Sequence, residues 1–182
     1  LGEKQYIRGN GRDTGMKSAL FVARTIHYDL TALNAAAWQW WLSVSPYNYK
    51  DGLLYTNYSK PGDKQNIMTS KIFWGLGNYS KFIRPGFTRI KLEGADHPEE
   101  LMGSAYIGPD QKKLIIVMVN YSREEKNIKL NINNQENNDY KLSRLVPYIT
   151  SEKHDLAEKE VVSINETFNI PEKSIVTFVS QD

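Results

Sequence analysis

Three of the chain's four tryptophans fall within four residues, in Ala35-Ala36-Ala37-Trp38-Gln39-Trp40-Trp41-Leu42-Ser43-Val44-Ser45-Pro46-Tyr47. Tryptophan offers a large flat face at little cost in rotamer entropy, so this density makes either a crowded core or a stacking platform. Sugars, whose C–H faces are apolar, are a natural ligand for such a platform. Side chains of an extended segment alternate, which puts Trp38 and Trp40 on one face and Gln39 and Trp41 on the other. A buried Gln39 must hydrogen-bond to something, a neighbour or a sugar hydroxyl. Tyr47, Tyr49 and Tyr55 follow on a loop. A phenol can stack on a sugar and donate a hydrogen bond, but loop tyrosines also serve simply to pin a loop.

Little else in the chain is reactive. With no cysteine, disulfides, thiol nucleophiles and cysteine-based zinc sites are excluded. His27, His97 and His154 are scattered, so neither a metal centre nor a cofactor is expected. Glu3 sits among Gly2, Lys4 and Gln5 and reads as a solvated carboxylate, because a nucleophile needs a rigid mount at a strand end. Lys50-Asp51-Gly52 reads as a turn. Arg12, in the loop Asn10-Gly11-Arg12-Asp13, can line a cleft, but a surface Arg–Asp pair is the blander reading. His27 reads as a satisfied core histidine. Three Asn-Tyr-Ser triplets and Asn165-Glu166-Thr167 match the glycosylation pattern, which arises easily by chance in so Asn-rich a chain.

The elements that must position the aromatics read in two halves. Asp13 or Thr14 can cap a helix whose apolar stripe is Met16, Ala19, Leu20, Ala23, Ile26, His27 and Leu30, with Arg24 and Asp29 off the stripe and wet. Residues 35–44 form an apolar run without helical spacing, as in a parallel strand buried on both faces. Residues 45–68 read as a long irregular loop, of the kind that carries function. A second helix starts at Thr69 or Ser70 and ends at Arg84-Pro85-Gly86; Gly75 and Gly77 inside it predict close backbone packing. From Phe87 the period changes to two. Strands are expected at 87–91, 103–107, 113–121, 127–132, 140–149, 161–164 and 174–180, with a hairpin at Gly108-Pro109-Asp110-Gln111 and a polar loop over Asn133 to Asp139. Seven short strands of this kind indicate an antiparallel β-sandwich.

Bulk composition bounds the rest. The 182 residues suffice for one or two domains, 24% are charged, and the net charge is +2 with no basic stripe, so no nucleic-acid footprint is present. No apolar run approaches the roughly 18 residues of a membrane span. The first half has the grammar of strand and helix units, but its 86 residues are too few for a complete eight-unit barrel, which needs about 250. The start Leu1-Gly2-Glu3-Lys4 is therefore expected to be the cut end of something longer.

The run Ala19-Leu20-Phe21-Val22-Ala23-Arg24-Thr25-Ile26-His27-Tyr28-Asp29-Leu30, followed by Ala36-Ala37-Trp38-Gln39-Trp40-Trp41, resembles glycoside hydrolase family 30. So do Asp51-Gly52-Leu53-Leu54-Tyr55 and the stretch from Lys71 to Gly86, and the ending Phe168–Phe178 resembles that family's last strand. The resemblance is strongest toward the endo-β-1,6-galactanase branch, with xylan-cleaving members more distant. It implies an α/β plus all-β architecture: residues 1–86 as the last βα units of a (β/α)8 TIM barrel, and residues 87–182 as an antiparallel β-sandwich side domain. Residues 14–30 would be the seventh barrel helix, 35–44 the eighth strand and 69–83 the eighth helix. The implied chemistry is retaining hydrolysis by two glutamates about 5–5.5 Å apart. By the family's pattern the nucleophile belongs just before Leu1 and the acid/base further upstream, so no catalytic residue is expected in this chain.

On that map Trp40, nearer the strand end, is favoured for stacking on the sugar. Trp41 is assigned to core packing, and Trp38 remains open between the two. Gln39, Tyr47, Tyr49 and Tyr55 complete the expected substrate-binding set. The implied partners are a polysaccharide or oligosaccharide substrate and the remainder of the same barrel, and the implied location is secreted, periplasmic or cell-surface. The rival reading is a non-catalytic carbohydrate-binding or structural β-sandwich module with a helical N-terminal extension.

Overall fold

A computed structural model describes residues 11–57, 60–62, 64–132 and 142–181. Helix α1 runs Met16–Thr31 and helix α2 Lys71–Ser80. Asp13 organises the start of α1 from outside it: Oδ1 accepts from the Gly15 amide and Oδ2 from the Ser18 hydroxyl. Ser70 caps α2, its hydroxyl oxygen accepting from the Phe73 amide at 3.4 Å. The expected stripe on α1 is buried from Met16 to His27, while Leu30 is half-buried. Arg24 and Asp29 are not the solvated residues expected: both are half-buried. The Arg24 guanidinium lies 4.4 Å from the Tyr121 ring centre, and Asp29 accepts from the Trp38 indole at 2.8 Å.

Between the helices lies a small sheet of β1 (Val44–Ser45), β2 (Leu54–Thr56) and β3 (Ile67–Thr69). β1 pairs parallel with β2, and β2 antiparallel with β3, so the expected loop over 45–68 carries two short strands. The expected strand over 35–44 is corrected. Regular pairing begins only at Val44, and Ala36, Ala37, Gln39, Trp41, Ser43 and Val44 are exposed. The physical reason is the lack of a partner: among the described residues nothing pairs with 35–41, and the first ladder-like bond runs from the Leu42 amide to Asp51.

The second half is an antiparallel sheet of β4 (Thr88–Ile90), β5 (Leu101–Ile107), β6 (Leu114–Asn120), β8 (Arg144–Thr150), β10 (Val162–Ser163) and β12 (Ser174–Gln181), in the order β10-β8-β12-β6-β5-β4. The short β9 (Ala157–Glu158) adds to β8. β7 (Lys126–Lys129) and β11 (Thr167–Ile170) make a separate two-stranded ribbon. β9 and β11 stand outside the seven expected strands, although β11 opens the run Phe168–Phe178 likened to the family's last strand; Tyr140 and the polar loop 133–139 lie outside the described residues.

Strict alternation holds on β11, whose burial alternates, but fails in the middle of the main sheet. β6 is buried at every position and β12 from Ser174 to Ser180, because both faces of that sheet are covered. Ile115, Val117, Val119, Ile175 and Val179 join the core beneath α1 and α2. Leu114, Ile116, Met118, Val176 and Phe178 join a second core with Phe168 and Ile170 of the ribbon. Complete burial of such side chains contributes about 1.5–3 kcal/mol each.

α2 reaches the sheet through the close packing expected at Gly75, where an added Cβ would stand 3.0 Å from Ile175 and 3.6 Å from Ala19. A buried polar bridge fixes the same contact. Asn78 donates to Thr150 at 2.6 Å, and the Thr177 hydroxyl lies 2.8 Å from the Asn78 carbonyl oxygen, to which it donates. Asn120 is equally buried, its amide donating to backbone oxygens of Glu124, Ile170 and Pro171. Two of the four glycosylation-like asparagines are thus interior hydrogen-bonding groups.

Candidate functional site

The aromatic segment splits into two sets. Trp38 and Trp40 stack, with ring centres 6.0 Å apart and planes at 16°. Both pack against the core beneath α1, and both indole N–H groups are used inside the protein: Trp38 donates to Asp29 and Trp40 to the Asp51 carbonyl at 2.7 Å. Trp41 is 81% exposed. Its assignment to core packing is corrected: the stacked pair Trp38 and Trp40 takes the place against the core, and Trp41 stands outside it. Gln39 is exposed as well.

Tyr47 and Tyr49 are 60% and 59% exposed, with ring centres 6.3 Å apart. Tyr55 is fully buried and holds their loop from below. Its hydroxyl donates to the Tyr49 carbonyl at 2.9 Å and accepts from the Gly52 amide at 3.2 Å. Burial pushes the Tyr55 phenol above its ordinary pKa, the Gly52 amide opposing, so it stays a neutral donor. Gly52 is required by this contact, since an added Cβ would meet the Tyr55 ring at 2.7 Å. Lys50-Asp51-Gly52 includes the expected turn at its first two residues. One carboxylate oxygen of Asp51, Oδ1, is enclosed without a hydrogen-bond partner.

Arg12 does not make the expected Arg–Asp pair. Its guanidinium donates to the carbonyls of Pro46 at 2.8 Å, Tyr47 at 3.0 Å and Thr56 at 2.7 Å, and lies 5.0 Å from the Tyr55 ring centre. Five donors in a planar fork suit one arginine to hold two segments at once, Pro46-Tyr47 and Thr56. No sequence signal beyond its loop position marks this role. His27 is buried, with Nε2 3.9 Å from an Asp96 carboxylate oxygen. Burial lowers its pKa below 6.5 against the opposing pull of Asp96, in keeping with a core histidine. Among the described residues, no group of three or more His, Cys, Asp or Glu side chains could hold a metal ion. No helix there is long and apolar enough to cross a membrane. Glu3 lies outside the described residues.

A short α/β segment with exposed aromatics is followed by an antiparallel β-sheet domain, an architecture that matches the end of a glycosidase barrel with its side sandwich. The O-glycosyl hydrolase family 30 pattern matches residues 1–55, and the glycosyl hydrolase family 30 β-sandwich domain matches residues 86–178. The chain belongs to glycosyl hydrolase family 30. It is 26% identical over 161 residues to glucuronoxylanase XynC of Bacillus subtilis, a match covering 88% of this chain and 34% of that protein. A conserved exported protein from Bacteroides fragilis superimposes with a TM-score of 0.75 at 31% identity, covering 90% of this chain and 33% of that one. A family 30 endoxylanase from Clostridium papyrosolvens does so with a TM-score of 0.72 at 25% identity, covering 93% and 39%. The chain thus spans about a third of the length of such relatives. Two of these three relatives carry xylanase names and none a galactanase name, so the placement of xylan-cleaving members as the more distant branch is corrected.

Proposed function

We propose that this chain supplies the closing barrel units and side sandwich of a retaining glycosidase that hydrolyses a β-linked polysaccharide, with a xylan backbone as the substrate. The observation carrying this reading is the exposed group Trp41, Tyr47 and Tyr49 on a loop clamped by Arg12 and Tyr55. Flat faces on a fixed mount lose little entropy on binding, which suits stacking against sugar rings. Gln39, exposed like Trp41, offers its amide to sugar hydroxyls. Trp40, the residue favoured from the sequence, and Trp38, left open there, support that shelf from behind, and Tyr55 acts through the loop it pins. The xylanase names among the relatives favour xylan over the β-1,6-galactan suggested by the sequence. The exported relative supports secretion to the periplasm, cell surface or medium.

The glutamate pair is expected outside this chain, so the chain binds but does not turn over. Titration with xylohexaose, read by tryptophan fluorescence, is expected to show saturable quenching that Trp41→Ala weakens at least roughly tenfold, in line with aromatic hot spots. Galactohexaose joined by β-1,6 links should bind more weakly. Unchanged affinity in Trp41→Ala would remove the shelf, and release of reducing sugar from xylan by the 182-residue chain would place catalysis within it. The rival reading, a sandwich that binds sugar by itself, finds no open face in the middle of the main sheet, which is covered on both sides.

A further inference from the structure

One end of the main sheet opens on a groove of about 860 Å³ between the start of α1 and three turns of the sandwich. The turns are those at Tyr121–Arg123, Ser151–His154 and Pro171–Lys173. They follow β6, follow β8 and precede β12, and the antiparallel order of these strands brings them side by side. The Lys173 amide donates to Ser122 at 3.2 Å, and Asn120 donates to Pro171, so two of the turns are tied together.

The floor is apolar: Met16 and Leu20 are buried. Four cations surround it, namely Lys17, Arg123, Lys153 and Lys173, against the two carboxylates Glu152 and Glu172. Among the described residues none of the four cations is within 4.0 Å of a carboxylate oxygen. Lys173 donates instead to the Tyr121 carbonyl, and its ammonium stands 4.8 Å from the Tyr121 ring centre, with Arg24 at 4.4 Å from the same ring. One guanidinium nitrogen of Arg24, Nη2, is enclosed without a hydrogen-bond partner.

The electrostatics agree with an uncompensated positive region. Burial, then Arg123 and Arg24, hold the Lys173 ammonium below its ordinary pKa, with Glu172 opposing only weakly. Burial, then Lys159, Lys71 and Lys153, lower His154, with Asp155 opposing.

We propose that this groove binds an acidic saccharide, a chain bearing uronic acid carboxylates. Carboxylates meet Arg123, Lys153, Lys173 and Lys17, while the C–H faces of the sugar rings lie over Met16, Leu20 and Tyr121. Charge alone would serve any anion; the apolar floor beneath the cations selects a ligand with both surfaces. Charged hydrogen bonds are the stronger kind, so the carboxylate accounts for most of the discrimination against a neutral sugar.

The test is calorimetric titration of the 182-residue chain at low salt with trigalacturonic acid and with neutral xylotriose. The acid trisaccharide is expected to bind at least roughly tenfold tighter, the scale of one charged contact. The double variant Arg123→Gln/Lys153→Gln, at two exposed positions, is expected to lose that preference with an unchanged melting temperature. Lys112→Gln, in the hairpin at the other end of β6, controls for net charge and should bind as the parent does. Trp41→Ala should also leave this affinity intact, so failure of the aromatic shelf and failure of this groove are separable outcomes. Equal affinity for the two trisaccharides, no heat with either, retained preference in the double variant, or displacement of the uronate by an equal concentration of inorganic phosphate would each overturn the proposal.

Discussion

The strand Leu114–Asn120 and the segment Trp38–Tyr49 are both rich in large side chains, yet they end in opposite situations. Every residue of the strand is buried, Ile115, Val117 and Val119 toward the helices and Leu114, Ile116 and Met118 toward the ribbon. In the aromatic segment Trp38 and Trp40 have packed partners and bonded N–H groups, while Trp41, Tyr47 and Tyr49 face outward. Hydrophobicity does not separate the two regions. What separates them is whether a second covering layer is present in this chain, and on the proposed reading the outward aromatics form the sugar-binding surface.

The comparison breaks most sharply in the core. Phe178→Ala removes a ring packed 4.9 Å from Phe168 and is expected to cost about 3–5 kcal/mol of unfolding free energy, measured by urea denaturation. Arg12→Ala is expected to cost about 1–3 kcal/mol, because the carbonyls of Pro46, Tyr47 and Thr56 lose a charged donor. Amide exchange should accelerate across residues 45–57 and stay unchanged in β6; uniform acceleration would show that the clamp is not local.

A smaller effect concerns His27. Its folded pKa lies below 6.5 and unfolding restores the ordinary value, so below pH 6.5 the unfolded chain binds the proton first. Stability therefore declines as pH falls from 6.5 toward the folded pKa, and His27→Gln should flatten that part of the thermal-unfolding profile. Parallel profiles for the two proteins would remove His27 from the account. The smallest effect falls on the exposed side: Trp41→Ala should change stability by less than about 0.5 kcal/mol, in contrast to its effect on sugar binding.

Much of this was legible in the residues. The α1 stripe from Met16 to His27, the tight seat of Gly75 and the hairpin at Gly108-Pro109-Asp110-Gln111 all stand where spacing and turn chemistry put them. All of these are local, set by residues a few positions apart. The misreadings are non-local. Residues 35–43 have a strand-like composition, but a strand needs a neighbour to exist as one. The choice between Trp40 and Trp41 for the open face turns on which side α1 occupies, which no spacing within the segment encodes. Arg12 reaches carbonyls some 35 to 44 positions away, beyond any motif. Arg24 and Asp29, assigned to solvent by the stripe, were claimed by Tyr121 and Trp38.

The doubly covered sheet has a consequence for how such proteins can be rearranged. A break near residue 86 would strip the roof from Ile115, Val117, Val119, Ile175 and Val179 and leave a sticky slab inviting self-association. The C-terminal portion is therefore not a portable cassette. Any recombination that transplants it into another enzyme must carry α1 and α2 along, or supply replacements with the same small-residue notch at Gly75.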